Sequence, residues 1–505
     1  MLEHTAKTIS VAVQNERFGK AIADLFFFLL GLYASKEFLK EKIKRRLYRK
    51  KEFSEQVWED IRLETLAMIK SARRVFRRGV SQRVIIRIAS ILTSLMAEGS
   101  KIREEFRKKY GYSSVPGFVT ISPTNICNLK CKGCYAGENY KKEILDFDVL
   151  DWTIKELRNK FNVRFFVISG GEPFAYRSKG KSILDIIARN PDCFFLVFTN
   201  GTLITKKVAS RLEKVANVTP AISVEGFREE TEARRGPEVF DKILTAMKNL
   251  REKGVIFGIS VTPMRHNANL LLSQDFMDFW FGEQGASYAW YFQYMPIGRS
   301  PNPELLVTPE QRVRMWEKTW EYIKKGYFIA DFWNCGTVSR GCISAAKNGG
   351  YFHILWNGDI TPCVFIPFKD KNNKLNNVYN LIKYKKSIVD AVNAPLFREI
   401  RAWQDKQQEH AKGARGEGRK CKCKDKGCRS KYGCGNLLMP CPIRDNSKEF
   451  YKILQKTKAV PFDEGAAHYK KLIESGFMPA YNDNCHKLMD FLWESHYVDK
   501  KKRKI

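Results

Sequence analysis

The chain has 505 residues, 44% hydrophobic and 13% aromatic, enough apolar material for a large core in two or three domains. Lysine and arginine total 88 against 55 acidic residues, a net charge of +33, which predicts attraction to an anionic partner: a membrane surface, nucleic acid or an acidic substrate. The 13 cysteines are odd in number, bunch at 127–134, 335–363 and 421–441, and follow no signal peptide with a cleavage site, which argues against a secreted disulfide scaffold and for metal or iron–sulfur sites in a reducing, anaerobic cytoplasm.

Residues 1–110 read as a basic helical module. The longest apolar run, 25–34, is too short to span a bilayer, which takes about 20 residues. It precedes Lys36, Lys40, Lys42, Lys44, Arg45 and Arg46. Two readings fit: an interfacial anchor on anionic lipid at the inner face of the membrane, or a core helix followed by a solvated basic one. Further on, Val84, Ile88, Ile91 and Leu95 recur at helical spacing.

From about 115 the pattern changes. Apolar, β-rich runs at 118–121, 165–168, 194–198, 221–224, 255–261 and 288–294 alternate with amphipathic stretches such as 145–161 and 237–253. Six such units predict an α/β fold over 115–300: a parallel sheet forming a partial, TIM-like (β/α)6 barrel, with chemistry at the carboxyl ends of its strands. Residues 330–445 are cysteine-bearing and less regular. Within them 409–435 holds few large apolar residues, so metal would have to order it. The segment 446–505 reads as helical and ends in a solvated basic tail, Lys500 to Lys504.

After the first strand stand Cys127, Cys131 and Cys134 in one tight loop, followed by Tyr135. Three thiolates so spaced suit a [4Fe–4S] cubane with one iron left open; a structural zinc site would need a fourth ligand from afar. This C-x3-C-x2-C loop resembles that of the radical S-adenosylmethionine superfamily, over about 118–300. The resemblance implies an enzyme, of oxidoreductase or transferase type, in which S-adenosylmethionine chelates the open iron, is cleaved reductively, and yields a 5′-deoxyadenosyl radical that takes hydrogen from a substrate. Relatives often place an aromatic before the third cysteine; here Gly133 stands there. Ser169, Gly170, Gly171, Glu172 and Pro173 resemble the family's GGEP motif, with glycines that admit the ligand to the backbone and a carboxylate for its ammonium group. Thr199 and Asn200 end the third strand and Ser223 and Glu225 the fourth, the latter where relatives often carry aspartate. Arg235 resembles a position that pairs with the cosubstrate carboxylate. Thr262 and the stretch 293–296 are further candidates for facing ligand or substrate.

Gly358 and Cys363, in a G-x4-C pattern, resemble the SPASM extension, which holds auxiliary iron–sulfur clusters. By that resemblance Cys335, Cys342, Cys363 and Cys441 would hold one cluster, and Cys423, Cys428, Cys434 and Cys485 a second, with Cys421 as substitute for Cys423. A zinc-binding knuckle is the alternative, and Cys193 reads as a buried apolar residue. The resemblance implies hydrogen abstraction from an unactivated C–H bond, with a peptide or protein substrate favoured and a ferredoxin or flavodoxin as electron donor. Three other readings stay open: a membrane lipid or membrane-associated substrate, RNA modification, and a non-enzymatic iron–sulfur or zinc protein. The RNA reading rests on charge alone, since no RNA-binding module is recognisable.

Overall fold

The computed structural model describes residues 53–88, 115–136, 142–413 and 435–498, with a few positions within 31–36, 90–91 and 104–109. Most of the apolar run 25–34 and the polybasic stretch after it lie outside the described residues, as do Cys421, Cys423, Cys428, Cys434 and the basic tail. Among the described residues no helix is long and apolar enough to cross a membrane.

Before the sheet comes α1 (Glu55–Arg77). The sheet and its helices then follow in alternation: β1 (Phe118–Ile121), α2 (Phe147–Phe161), β2 (Phe165–Ile168), α3 (Ile183–Arg189), β3 (Phe194–Thr199), α4 (Lys206–Val215), β4 (Val218–Val224), α5 (Arg228–Arg235), α6 (Val239–Glu252), β5 (Gly258–Val261) and β6 (Ala289–Tyr291). These six strands are the six expected, and all pair in parallel. Helix starts are set locally. Asp146 accepts from the Asp148 N–H at 2.9 Å to cap α2, which ends on Asn162 in the left-handed region, and Thr205 caps α4.

The sheet does not stop at six. After α7 (Pro309–Lys325) come β7 (Ile329–Asp331), β8 (His353–Ile354) and β9 (Ile360–Thr361). The spatial order is β9-β8-β1-β2-β3-β4-β5-β6-β7, with only β9 antiparallel. Residues after 328, expected in a separate cysteine-rich unit, therefore supply both edges of the barrel sheet, and no break in structure falls at that boundary.

Side chains alternate across the sheet. Val119, Ile121, Phe166, Ile168, Phe195 and Val197 face the helices and are wholly buried. The opposite face turns Phe118, Phe165, Phe198, Trp290 and Phe328 into the barrel. At its base, Tyr288 crosses to β4, its hydroxyl 2.8 Å from Thr219 Oγ1. Gly258 makes that crossing possible, because a Cβ there would lie 2.4 Å from the Tyr288 ring.

The C-terminal helices α8 (Ser447–Thr457), α9 (Glu464–Glu474) and α10 (Phe477–His496) pack back on the barrel. Arg312 of α7 and Asp445 form an ion pair at 2.6 Å with neither side chain exposed, and Arg312 also donates to the Leu438 carbonyl at 2.8 Å. Nor is α1 a loose appendage. It packs on α7, and its Asp60 accepts from Thr337 Oγ1 at 2.7 Å and from the Tyr497 hydroxyl at 2.8 Å.

Candidate active site

The loop after β1 carries Cys127, Cys131 and Cys134 over the carboxyl end of the sheet, as the barrel reading expects. Its shape is set by contacts with neighbouring strand ends. Asn200, just past β3, donates from Nδ2 to Asn128 Oδ1 at 2.9 Å and lies 3.8 Å from Cys127 Sγ. The backbone of Lys132 pairs with Arg234 at the end of α5 through Lys132 N to Arg234 O (3.2 Å) and Arg234 Nε to Lys132 O (3.2 Å). Gly133 adopts φ +62°, and the place where its Cβ would stand is 2.8 Å from the Tyr294 ring. A tyrosine from the segment after β6 thus fills the space beside the third cysteine.

Gly170 and Gly171 line the same cavity, but their lack of side chains serves the protein first. A Cβ on Gly171 would stand 2.3 Å from the Ile126 carbonyl oxygen, and one on Gly170, at φ +106°, 2.5 Å from that of Thr124. The turn after β2 is glycine so that the cysteine loop can lie directly on it.

Two carboxylates differ from the roles expected of them. Glu172 is wholly buried and does not line the cavity. Its Oε1 accepts from Phe174 N (3.0 Å) and Thr199 Oγ1 (2.8 Å), and its Oε2 from Asn200 N (2.8 Å). Glu172, expected as the partner of a ligand ammonium, here joins the turn after β2 to the end of β3. Pro173 is likewise structural, opening the short turn that Glu172 caps. Glu225 is also buried behind the cavity wall, where its Oε1 accepts from Arg234 Nη1 at 2.6 Å and from Arg235 Nε at 2.9 Å. It holds the two arginines in place, and both of them line the cavity. Arg235 is close enough to Cys131 to favour its thiolate, although burial is the larger influence and pushes that thiol up. Burial likewise raises Cys127, to about 11. Tyr135, Thr199, Asn200, Ser223, Thr262 and Gln293 all line the cavity.

One continuous chamber of about 540 Å³ joins this loop to the second set of cysteines. Cys335, Cys342, Cys363 and Cys441 all line it, although their positions in the chain are far apart. The Tyr351 hydroxyl lies 2.8 Å from Cys363 Sγ. Burial raises Cys363 to about 12 and Cys441 well above the ordinary thiol range, and Cys342 is near enough to raise both further. Thiols so placed give up their protons to a bound metal far more readily than to solvent. Among the described residues no three His, Cys, Asp or Glu side chains close on one point as ligands of a single ion would. A single zinc ion takes thiolates at about 2.3 Å, whereas a cubane spreads its thiolates over separate irons. Cys485 stands apart: it is buried on α10, near Arg312 and Tyr481, and does not line the chamber. Cys193 is wholly buried in the main core, as its sequence context predicts.

Sequence reasoning missed the far wall. Glu64, Thr65 and Met68 of α1 line the chamber. Glu64 is 8% exposed, its Oε2 has no partner, and burial lifts its carboxyl to about 8. The only sequence signal was an acidic residue on the apolar side of a basic helix.

Residues 121–268 match the family model described as the Radical SAM superfamily. Over 153 residues, 30% of this chain and 37% of the relative, the sequence is 31% identical to Fe-coproporphyrin III synthase of Methanosarcina barkeri. Over 268 residues, 50% of this chain and 82% of the relative, it is 20% identical to GTP 3',8-cyclase of Sulfurimonas denitrificans. Of solved structures, Streptococcus suis SuiB bound to S-adenosylmethionine is similar with a TM-score of 0.49 and 18% identity, over 60% of this chain and 72% of that one. The chain thus spans little more than a third of the first of these relatives. With its cysteine loop, glycine turn and parallel half-barrel in the expected order, the chain carries a radical SAM domain, the family that works with a [4Fe–4S] cluster and S-adenosylmethionine.

Proposed function

We propose that this protein is a radical SAM enzyme that removes hydrogen from an unactivated C–H bond of a substrate held in the chamber. The observation that carries the reading is the placement of Cys127, Cys131 and Cys134 on a cavity whose sheet-side wall is aromatic. A [4Fe–4S] cluster held by Cys127, Cys131 and Cys134 would supply the one-electron reductive cleavage of S-adenosylmethionine from which the hydrogen-abstracting 5′-deoxyadenosyl radical would come.

The chain's own residues do the positioning. Cys127, Cys131 and Cys134 would hold the cluster. Asn200 and the Lys132–Arg234 pair fix the loop's shape, and the glycine turn lets it settle on the sheet. Arg235, held by Glu225, keeps a positive charge beside Cys131, where it suits a ligand carboxylate. Tyr135 packs its ring toward Phe365 at 6.0 Å, and Gly170 N lies 3.5 Å from its hydroxyl, which sets an aromatic face at the cavity wall. Phe198, Trp290 and Phe292 exclude water from the space below, where a carbon-centred radical needs protection. Cys335, Cys342, Cys363 and Cys441 would hold an auxiliary cluster on the opposite wall.

The test is product formation. Anaerobically reconstituted protein with S-adenosylmethionine and a strong reductant should release 5′-deoxyadenosine and methionine, and Cys127→Ala should release neither. Reconstituted protein that binds zinc at this loop and forms no 5′-deoxyadenosine would reject the reading.

A further inference from the structure

We infer that the substrate is a predominantly apolar molecule, a hydrocarbon body carrying a single hydrogen-bond donor such as a hydroxyl, and that Glu64 of α1 receives that donor. The inference rests on the radical SAM reading of the site and names the substrate class that reading leaves open.

The chamber below the cysteine loop is walled by the inward face of the sheet. Phe118, Phe165, Phe198, Trp290, Phe292 and Phe328 all line it, and each keeps part of its surface open to the cavity. The rings brace one another: Trp290 stacks on Phe292 at 6.0 Å, and Phe198 meets Phe292 edge-on at 5.4 Å. Such walls reward burial of hydrocarbon. A peptide would bring a backbone donor and acceptor with every residue, and each needs a partner that aromatic walls do not supply.

Hydroxyls of Thr120, Ser223, Ser260 and Thr262 are on the wall, and the charged side chains there are mostly spent. Among the described residues, four charged side chains line the chamber: Glu64, Arg234, Arg235 and Asp331. The two arginines are bound to Glu225. Asp331 accepts from Trp333 N (3.1 Å), Asn334 N (3.2 Å), Asn334 Nδ2 (2.8 Å) and Gln293 Nε2 (3.2 Å). Glu64 remains, with Oε2 buried and unpartnered. Gln293 has its amide nitrogen turned to Asp331, so its Oε1 is the atom left buried without a partner. The indole Nε1 of Trp333, also on the wall, is a buried donor without a partner, so two acceptors and one donor stand open, a set that a ligand hydroxyl, which both donates and accepts, can meet. Met68, one turn beyond Glu64, lines the chamber yet is 48% exposed, which marks an apolar point of entry along α1.

The test uses the full chain after anaerobic reconstitution and two probes, ω-bromododecanol and bromododecane, whose bromine quenches indole emission on contact. The alcohol should quench saturably, and Trp290→Phe, which keeps an aromatic wall, should lose much of the signal. Glu64→Ala should weaken the alcohol about tenfold and leave bromododecane unchanged, while Glu64→Gln, which retains an acceptor, should keep most of the affinity. Non-saturable quenching, or the same quenching in Trp290→Phe, overturns the apolar site. Equal affinity for alcohol and bromoalkane in the native protein removes Glu64 from it. Release of 5′-deoxyadenosine, measured separately, tells the two readings apart. Protein that cleaves S-adenosylmethionine but never binds the alcohol refutes the substrate class alone; protein that binds the alcohol but never cleaves refutes the radical chemistry alone.

Discussion

The two sets of cysteines on this chamber are built in opposite ways. Cys127, Cys131 and Cys134 come from a single loop, partly exposed, whose geometry is fixed by its neighbours' backbone. Cys335, Cys342, Cys363 and Cys441 come from four separate places and meet only because β7, β8, β9 and α7 have already folded around them. The first set is a local motif set on a finished scaffold. The second depends on long-range packing, so damage to the fold should reach it first.

Paired substitutions should separate the two most sharply. Cys131→Ala should abolish S-adenosylmethionine cleavage, a loss of more than about a hundredfold, together with one cluster's complement of iron. Cys363→Ala should lose a similar amount of iron yet still cleave S-adenosylmethionine in the absence of substrate. Iron analysis and 5′-deoxyadenosine release on the two variants side by side would show whether the sets are independent.

A second contrast lies in stability. Removing Asp445 as Asp445→Leu strands the wholly buried Arg312, takes away the acceptor of the Cys441 N–H, and should cost about 3–5 kcal/mol. The double variant Arg312→Met/Asp445→Leu should recover most of that, as read from guanidinium denaturation followed by circular dichroism. Auxiliary iron should fall with the single change, while the loop after β1 keeps its own.

Gly171→Ala attacks the other set. The new methyl meets the Ile126 carbonyl, so the cysteine loop must lift, at about 1–3 kcal/mol. Affinity for S-adenosylmethionine, measured by calorimetry on reconstituted protein, should weaken while auxiliary iron stays.

The smallest effect is on the strand that joins the two regions. His353 of β8 is buried, its Nε2 2.7 Å from Ser122 Oγ just past β1, and burial depresses it to about 3. Its ordinary value is about 6.5, so between those limits the unfolded chain takes up a proton that the folded one refuses. Stability should therefore fall as pH drops below about 6.5, by at most about 1.4 kcal/mol per unit from this residue. Denaturation midpoints at about pH 7 and about pH 5 should differ less in His353→Gln than in the native chain.

What could be read in advance follows the same divide. The six central strands are legible because each is a run of β-branched and aromatic residues between turn signals, and the cysteine loop because its spacing is local. The edges are not. Ile329–Asp331 and His353–Ile354 are two or three residues long and owe their form to pairing with β6 and β1 rather than to propensity. Glu172 and Glu225 were legible as buried-motif carboxylates, but whether a carboxylate meets a ligand or the protein's own donors depends on which strand end lies next to it. The acidic side chain of Glu64 could not be assigned to the chamber from a helix that reads as a separate basic module.

That helix lies outside the stretch matched by the family model, yet it forms part of the chamber's wall. Recognition and reaction are thus written in different parts of the gene. A substitution at position 64, 65 or 68 can change which molecules are admitted without touching the residues that generate the reactive species. Under the proposed function, a shortened chain trimmed to the barrel would keep the cysteine loop and lose the part of the wall that meets the substrate.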